Sequence, residues 1–334
     1  MHVTSSTRRT LLGTAASAAA LLALTPFHAQ AQTDYPNKPI RIVVPFPPGG
    51  ATDVLARVIG QQLSADLGQP VLIDNKPGAA GIIGTDAVAK AAPDGYTLVL
   101  SLSNSLMTNE FLYEKLPYNT QRDLTLVYQI AKAPLVLVTH PSVPAKTAPD
   151  LWKYIAANKG KVAYGSYGVG AYPHLAGAYM SLTQQAEMNH IAYKGEAPML
   201  QDLIGGQIQM AYASALSAKP HIESGKILAL GVTGDRRMNT LPDVPTLFEQ
   251  GIKDEAYRVT GWLAIAAPAK TPTAIVTKVS DAVRKAVKQP DIAKRIEAMG
   301  FDVKDSSPEL FNAAVKAERP VWERLIKQSG ARLE

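Results

Sequence analysis

The sequence predicts a two-lobed α/β protein, each lobe a mainly parallel sheet flanked by helices. Three observations predict it. Short β-branched apolar runs alternate with helix-period segments along most of the chain, the rhythm of βαβ units. That alternation restarts after Thr139, which marks a second unit of the same class. The chain is also long: of its 334 residues, roughly 300 remain after a leader, more than one typical core organises.

The leader comes first. Arg8 and Arg9 precede an apolar run ending near Leu24, and Ala29-Gln30-Ala31 supplies a small-x-small cleavage site. The run is shorter than the roughly 20 residues a membrane span needs. Residues 1–31 therefore read as a cleaved export signal, of twin-arginine or ordinary Sec type. With no cysteine, neither a lipid attachment site nor a disulfide framework is available. A soluble periplasmic location follows as the expectation.

The formal charge is +6, and residues 1–31 hold two arginines and no acid, leaving +4. No basic run accompanies it, so nucleic acid is not an expected partner. Apolar content of 46% and charged content of 19% are ordinary for a packed soluble domain.

Strands are expected at residues 40–44, 71–73, 97–102 and 135–139, with helices over 54–67 and 83–91 between the first three. Beyond residue 139 the same pattern gives helices over 148–158, 173–182, 197–205 and 218–224. Strands are expected over 162–164, near 190–193 and 210–213, and over 229–232. A strand over 261–268 returns toward the first lobe, and helices over 272–288, 291–299 and 308–329 close the chain. Ser307 is a good N-cap for the last, with Pro308 at its first position and Pro320 as a kink point. Crossings near Ala133 and Gly261 then divide the chain into lobe 1, residues 32–133 and 260–334, and lobe 2, residues 134–259.

Four glycine-bearing turns stand where strands hand over to helices: 47–53, 75–84, 165–174 and 193–196. Glycine lets backbone approach a ligand closely, and the free amides of a helix start suit an anion. In open α/β sheets ligands collect at the carboxyl ends of strands, where these turns must lie. The turns are not nucleotide loops: Pro173 stands where a third fingerprint glycine would fall, and no Gly-Lys-Ser/Thr is present. Ser166 resembles half of a hydrolase elbow, but Tyr164 replaces its leading glycine. Six histidines show no zinc-type spacing. Asp53 suits a helix start, or a ligand's amine or hydroxyl. Phe46, Tyr167, Tyr172, Tyr193 and Trp262 are candidates to wall a cleft.

These residues resemble a known family. Tyr35-Pro36, Lys38-Pro39-Ile40-Arg41, Val44-Pro45-Phe46 and Pro48-Gly49-Gly50 with Asp53 open the match. Asn75-Lys76-Pro77-Gly78-Ala79, Pro93-Asp94-Gly95-Tyr96, Tyr164-Gly165-Ser166, Tyr193-Lys194-Gly195 and Leu241-Pro242-Asp243-Val244-Pro245 continue it across nearly the whole mature chain. The set is similar to the Bug or TctC-like receptors of tripartite tricarboxylate transporters. That resemblance implies a type II-like Venus-flytrap periplasmic binding protein fold, closing over a small organic acid for delivery to membrane permease subunits. It implies a monomer with no cofactor, no metal and no catalytic residue. By position, the ligand-binding set is Phe46, Gly49, Gly50, Thr52, Asp53, Ser166, Gly168, Gly170, His174, Tyr193 and Lys194, with backbone amides and bridging water holding a carboxylate. Ala171 stands where such loops often carry serine, so no hydroxyl contact is expected there. A serine esterase built on Ser166 and a ligand-presenting signalling receptor are the alternatives.

Overall fold

The computed structural model describes residues 35–333; the leader read over 1–31 lies outside them. Its strands are β1 Ile40–Val44, β2 Val71–Asn75, β3 Thr97–Leu102, β4 Leu124–Ala133, β5 Val136–Thr139, β6 Ala163–Ser166, β7 Asn189–Ala192, β8 Met210–Ala213, β9 Leu228–Val232, β10 Gly261–Pro268 and β11 Asp302–Val303. The principal helices are α1 Ala51–Leu67, α2 Ile82–Ala89, α3 Ala148–Ala157, α4 Tyr172–Thr183, α5 Glu196–Ile204, α6 Ala215–Glu223, α7 Thr273–Val287, α8 Pro290–Ala298 and α9 Pro308–Ser329. One sheet runs β11-β4-β10-β3-β1-β2 and the other β7-β6-β8-β5-β9. Two sheets flanked by helices are what the alternation predicts.

The sheets are mixed rather than mainly parallel. β1 lies parallel to β2 and β3, and β6 to β7 and β8, as crossover units require. The antiparallel pairings involve β4, β5 and β10. Their cause is the crossing itself. The chain leaves the first sheet along β4 and returns along β10, so the two run in opposite directions, with Gly261 paired to Ala133 where they meet.

β4 is absent from the expected elements because its apolar run is broken by Gln129 and Lys132. The fold absorbs both. Gln129 is buried, while Lys132 Nζ sits 3.7 Å from Asp235 and 3.6 Å from Glu318 of α9. Burial pushes the Glu318 carboxyl above its usual range, only partly offset by Lys132.

The core follows from the two-residue period of strands. Leu137, Met210 and Tyr212 point to one face of the second sheet, and Val136, Val138, Ala211 and Ala213 to the other. The first face is continuous with the core of the first sheet through Val99, Trp262, Phe311 and Trp322. α9 completes that core. Ser307 Oγ caps it by accepting from the Leu310 N–H at 3.2 Å, and the helix continues through Pro320 to Ser329. Trp322 meets Tyr172 of α4 edge-on, ring centres 5.6 Å apart. At the crossing, the Leu135 N–H donates to Thr233 Oγ1 and the Thr233 N–H to the Leu135 carbonyl, both at 2.9 Å.

Candidate functional site

The first turn follows β1, and Asp53 organises it from the start of α1. Asp53 Oδ2 accepts from the Gly49 N–H at 2.9 Å and from Arg57 Nε at 3.1 Å. Its Oδ1 accepts from Asn75 Nδ2 at 2.9 Å and faces Arg57 Nη2 at 3.0 Å. Asn75 also donates to the Phe46 carbonyl at 3.2 Å. One buried carboxylate therefore ties the turn to the end of β2. Burial would raise its pKa, but the bonds from Arg57, Gly49 and Asn75 outweigh this and hold it below the usual range.

This tether engages the Gly49 amide, which leaves the first-turn amides of α1 as the turn's outward donors. Gly50 at the N-cap is extended (φ −76°, ψ 165°) and has no side chain to cap them. The same holds at each glycine turn. α2 starts from Gly81, α4 from Ala171 and α5 from Gly195, none with a capping side chain. Of the helices elsewhere, α3, α6 and α9 are capped by Thr147, Ser214 and Ser307, while α7 and α8 begin at Pro272 and Gln289 without a side-chain cap and follow no glycine turn. Uncapped starts at the carboxyl ends of β1, β2, β6 and β7 present polarised N–H groups to an anion. Thr52 is buried in the first turn of α1.

The second turn is the most contorted part of the backbone. Gly78, Ala79, Ala80 and Gly81 all have positive φ, and the two alanines at 46° and 52° cost about 1 kcal/mol each. The segment after β3 holds them there. Asn104 Nδ2 and Asn109 Nδ2 both donate to the Ala80 carbonyl, at 3.0 and 3.2 Å. Asn104 opens and Asn109 follows a π-helical stretch, Asn104–Thr108, a form often found at functional sites. A Cβ on Gly81 would lie 3.0 Å from Ser105 Cβ and 3.4 Å from Phe46 Cζ. Phe46 thus packs over the second turn.

The second sheet contributes the third turn, after β6. Ser166 is fully buried, its Oγ 2.7 Å from His190 Nε2 and 3.1 Å from the Gly168 carbonyl that accepts its proton. The Gly170 N–H donates to His174 Nδ1 at 3.1 Å. The two imidazoles stack, ring centres 4.1 Å apart and 23° from parallel. Gly170 also faces the segment that follows β3 of the first sheet: a Cβ there would stand 2.8 Å from Leu112 Cδ1, at the end of the Asn104–Leu112 stretch. That segment therefore touches both the second and the third turn, and brings the two sets together.

The fourth turn is less involved. The Tyr193 N–H donates to the Ser166 carbonyl at 2.8 Å, while its hydroxyl is bound to Asp202 of α5 at 2.8 Å. Burial and Asp202 push the phenol to about 12. Lys194 is exposed beside it. Glu196 caps α6 through Ser214 and Ser217, with Oε2 2.8 Å from each hydroxyl. Of the wall candidates, Tyr172 and Trp262 are core.

Three contributors escaped the motif reading. His190 sits in a strand that reads as ordinary edge sequence. Asn75 was visible only as a turn residue. Ser105, with its asparagine neighbours, was signalled by the polar run Ser103-Asn104-Ser105 directly after an apolar strand.

Burial and the neighbouring His190 push His174 down to about 4, and burial alone lowers His190. Both are neutral at pH 7. The folded state resists protons that the unfolded chain accepts from about 6.5 downward. Stability is therefore expected to fall as pH drops from about 6.5 toward 4, by about 3 kcal/mol from His174. Urea unfolding across that range measures it, and His174→Asn should flatten the slope.

Comparison with known proteins identifies the family. The family model described as the tripartite tricarboxylate transporter family receptor matches residues 55–331. The Bordetella pertussis protein BugT is 35% identical over 90% of this chain and 92% of its own length. An R. palustris protein solved with adipate superposes with TM-score 0.76 and 33% identity, covering 90% of this chain and all of the other. MatC from Rhodopseudomonas palustris, with bound malate, gives TM-score 0.71 and 29% identity over 87% of this chain and all of its own. The chain belongs to the tripartite tricarboxylate transporter receptor family, the TctC or Bug family.

Proposed function

We propose that this chain is a periplasmic receptor that captures a small carboxylate between its lobes and hands it to membrane permease subunits. The observation that carries the reading is the set of uncapped helix starts at the glycine turns. One ligand carboxylate replaces the missing caps, receiving N–H bonds from the start of α1 and, through water, from the turn of Gly168. Such amides hold an acid without a buried counter-charge, so the acid can leave again. The relatives solved with adipate and malate support the ligand class. Residues 1–31 support export by sequence alone, and among the described residues no helix is long and apolar enough to cross a membrane.

The Ser166–His190 contact is the one feature that favours an esterase. Against it, Ser166 has no exposed surface, its hydroxyl is bound within its own turn, and no carboxylate among the described residues bonds the second nitrogen of His190. A buried hydroxyl offers an ester carbonyl no line of approach. The test is a thermal-shift panel of carboxylates run beside p-nitrophenyl ester turnover. The receptor reading expects at least one acid to raise the Tm, with turnover no higher for the parent than for Ser166→Ala. Turnover that Ser166→Ala abolishes would establish the enzyme instead.

A further inference from the structure

Of the His190–His174 pair, the family resemblance implies only His174 as a ligand contact, and the pair touches the third turn at two points. His174 Nδ1 accepts the Gly170 N–H at 3.1 Å. His190 Nε2 meets Ser166 Oγ at 2.7 Å, and Ser166 in turn bonds the Gly168 carbonyl at 3.1 Å. The rings are stacked face to face at 4.1 Å, and Tyr164 closes the stack over His190 at 5.0 Å. The Tyr164 hydroxyl donates to the His174 carbonyl at 3.4 Å. Gly170 thus hangs directly on an imidazole nitrogen, and Gly168 is held through the Ser166 hydroxyl that His190 meets.

We infer that this pair positions the carboxylate-binding turn, holding it in shape as two neutral stacked imidazoles, and that acid releases it by protonating His174, whose Nδ1 can then no longer accept the Gly170 N–H. The inference rests on the receptor reading given above. Its chemistry is in the acceptor. A neutral imidazole can accept at Nδ1 only while its proton is on Nε2; an imidazolium donates from both nitrogens. Protonated His174 would present N–H to the Gly170 N–H, and the bond would become a repulsion. A positive ring would also face a second ring at stacking distance.

The surroundings offer such a charge no relief. Tyr164 on β6 is the titratable group stacked on the pair, and burial pushes its phenol up, so it stays neutral. On α4, the Tyr172 hydroxyl is turned to the Ala256 carbonyl. On α5, Asp202 is bound to Tyr193 and Glu196 to Ser214 and Ser217. Among the described residues no carboxylate bonds either ring. Desolvation lowers both histidines, so the switch operates below the ordinary histidine range.

The test uses the full mature chain, labelled with ¹⁵N. At pH 7 the His174 ring should show a bare Nδ1 and a protonated Nε2, and the Gly170 amide should exchange slowly. Between pH 6 and 4 that amide should shift in step with His174 and lose about tenfold in protection, while core amides such as Leu137 hold. His174→Asn supplies an acceptor oxygen in the place of Nδ1 that cannot titrate, so its Gly170 amide should ignore pH. Calorimetry with adipate and malate at pH 7.5 and 4.5 reads the functional side. Acid weakens the ligand's own charge equally for both proteins, so the parent should lose about tenfold more affinity than His174→Asn. His190→Phe, which keeps the stack but deletes the bond to Ser166, should weaken binding at pH 7.5.

A Gly170 amide indifferent to pH, or parallel loss of affinity in parent and His174→Asn, overturns the inference. If neither probe binds at pH 7.5, the choice of carboxylate is at fault, and the Gly170 amide still decides the histidine switch.

Discussion

Asp53→Ala is expected to lower stability by about 2–4 kcal/mol and to remove ligand capture with it. The carboxylate is buried and binds three groups at once: the Gly49 amide, the Asn75 side chain and Arg57. Removing it leaves the Gly49 N–H without its acceptor and the Asn75 amide with the Phe46 carbonyl alone. Arg57 is half-exposed, so water replaces its share and the ion pair adds little. The larger loss lies in the two hydrogen bonds to a charged acceptor, about 1.5–3 kcal/mol each before relaxation. Asp53→Asn keeps one acceptor oxygen and should cost about half as much. Urea midpoints at constant m-value measure both. A midpoint for Asp53→Ala equal to the parent's would show that the tether is not what fixes the first turn.

Gly50→Val is expected to do the opposite, leaving the fold intact and abolishing the ligand-induced rise in Tm. Gly50 has backbone angles that valine adopts without strain, φ −76° and ψ 165°. A Cβ there meets nothing nearer than the Pro47 carbonyl at 3.8 Å. Stability should therefore change by less than about 1 kcal/mol. The added side chain stands at the uncapped start of α1, where the acid must sit. For the parent, ligand at about 100 times Kd stabilises by about 2.7 kcal/mol; for the variant that gain should vanish. A variant that responds like its parent would move the site away from this turn.

Much of this architecture was legible because it rests on local rules. β1, β3 and β8 are short apolar runs, and α9 carries its start signal in Ser307-Pro308-Glu309. The glycine turns were legible as turns for the same reason. β4 was not, since Gln129 and Lys132 look like surface residues until Asp235 and Glu318 arrive from distant sequence to pair with the lysine. The mixed pairing of the sheets was likewise out of reach: strand direction depends on where the chain crosses between them, not on composition.

The site divides along the same line. Asp53 was expected at a helix start, and it is there, yet the backbone amide it accepts from is that of Gly49, before the helix, while Arg57 reaches it from one turn along. Gly49 and Gly170 were expected as donors to a ligand, and both amides are engaged within the protein, by Asp53 and His174. Long-range partners decide which amides stay available, and these are invisible in a linear motif. His190 shows the point most clearly. It lies 24 residues beyond Ser166, and only the parallel pairing of β6 with β7 brings the two side chains together.

In the receptor we propose, acid is gripped by bare peptide hydrogens rather than by charged side chains or a reactive group. A crystal of the mature chain with whichever panel acid raises its Tm most addresses that directly. We predict one carboxylate within about 3 Å of the amide nitrogens at Ala51–Asp53, with the turn of Gly168 on its other side. A carboxylate bound instead by Lys194, or lying away from both turns, contradicts it.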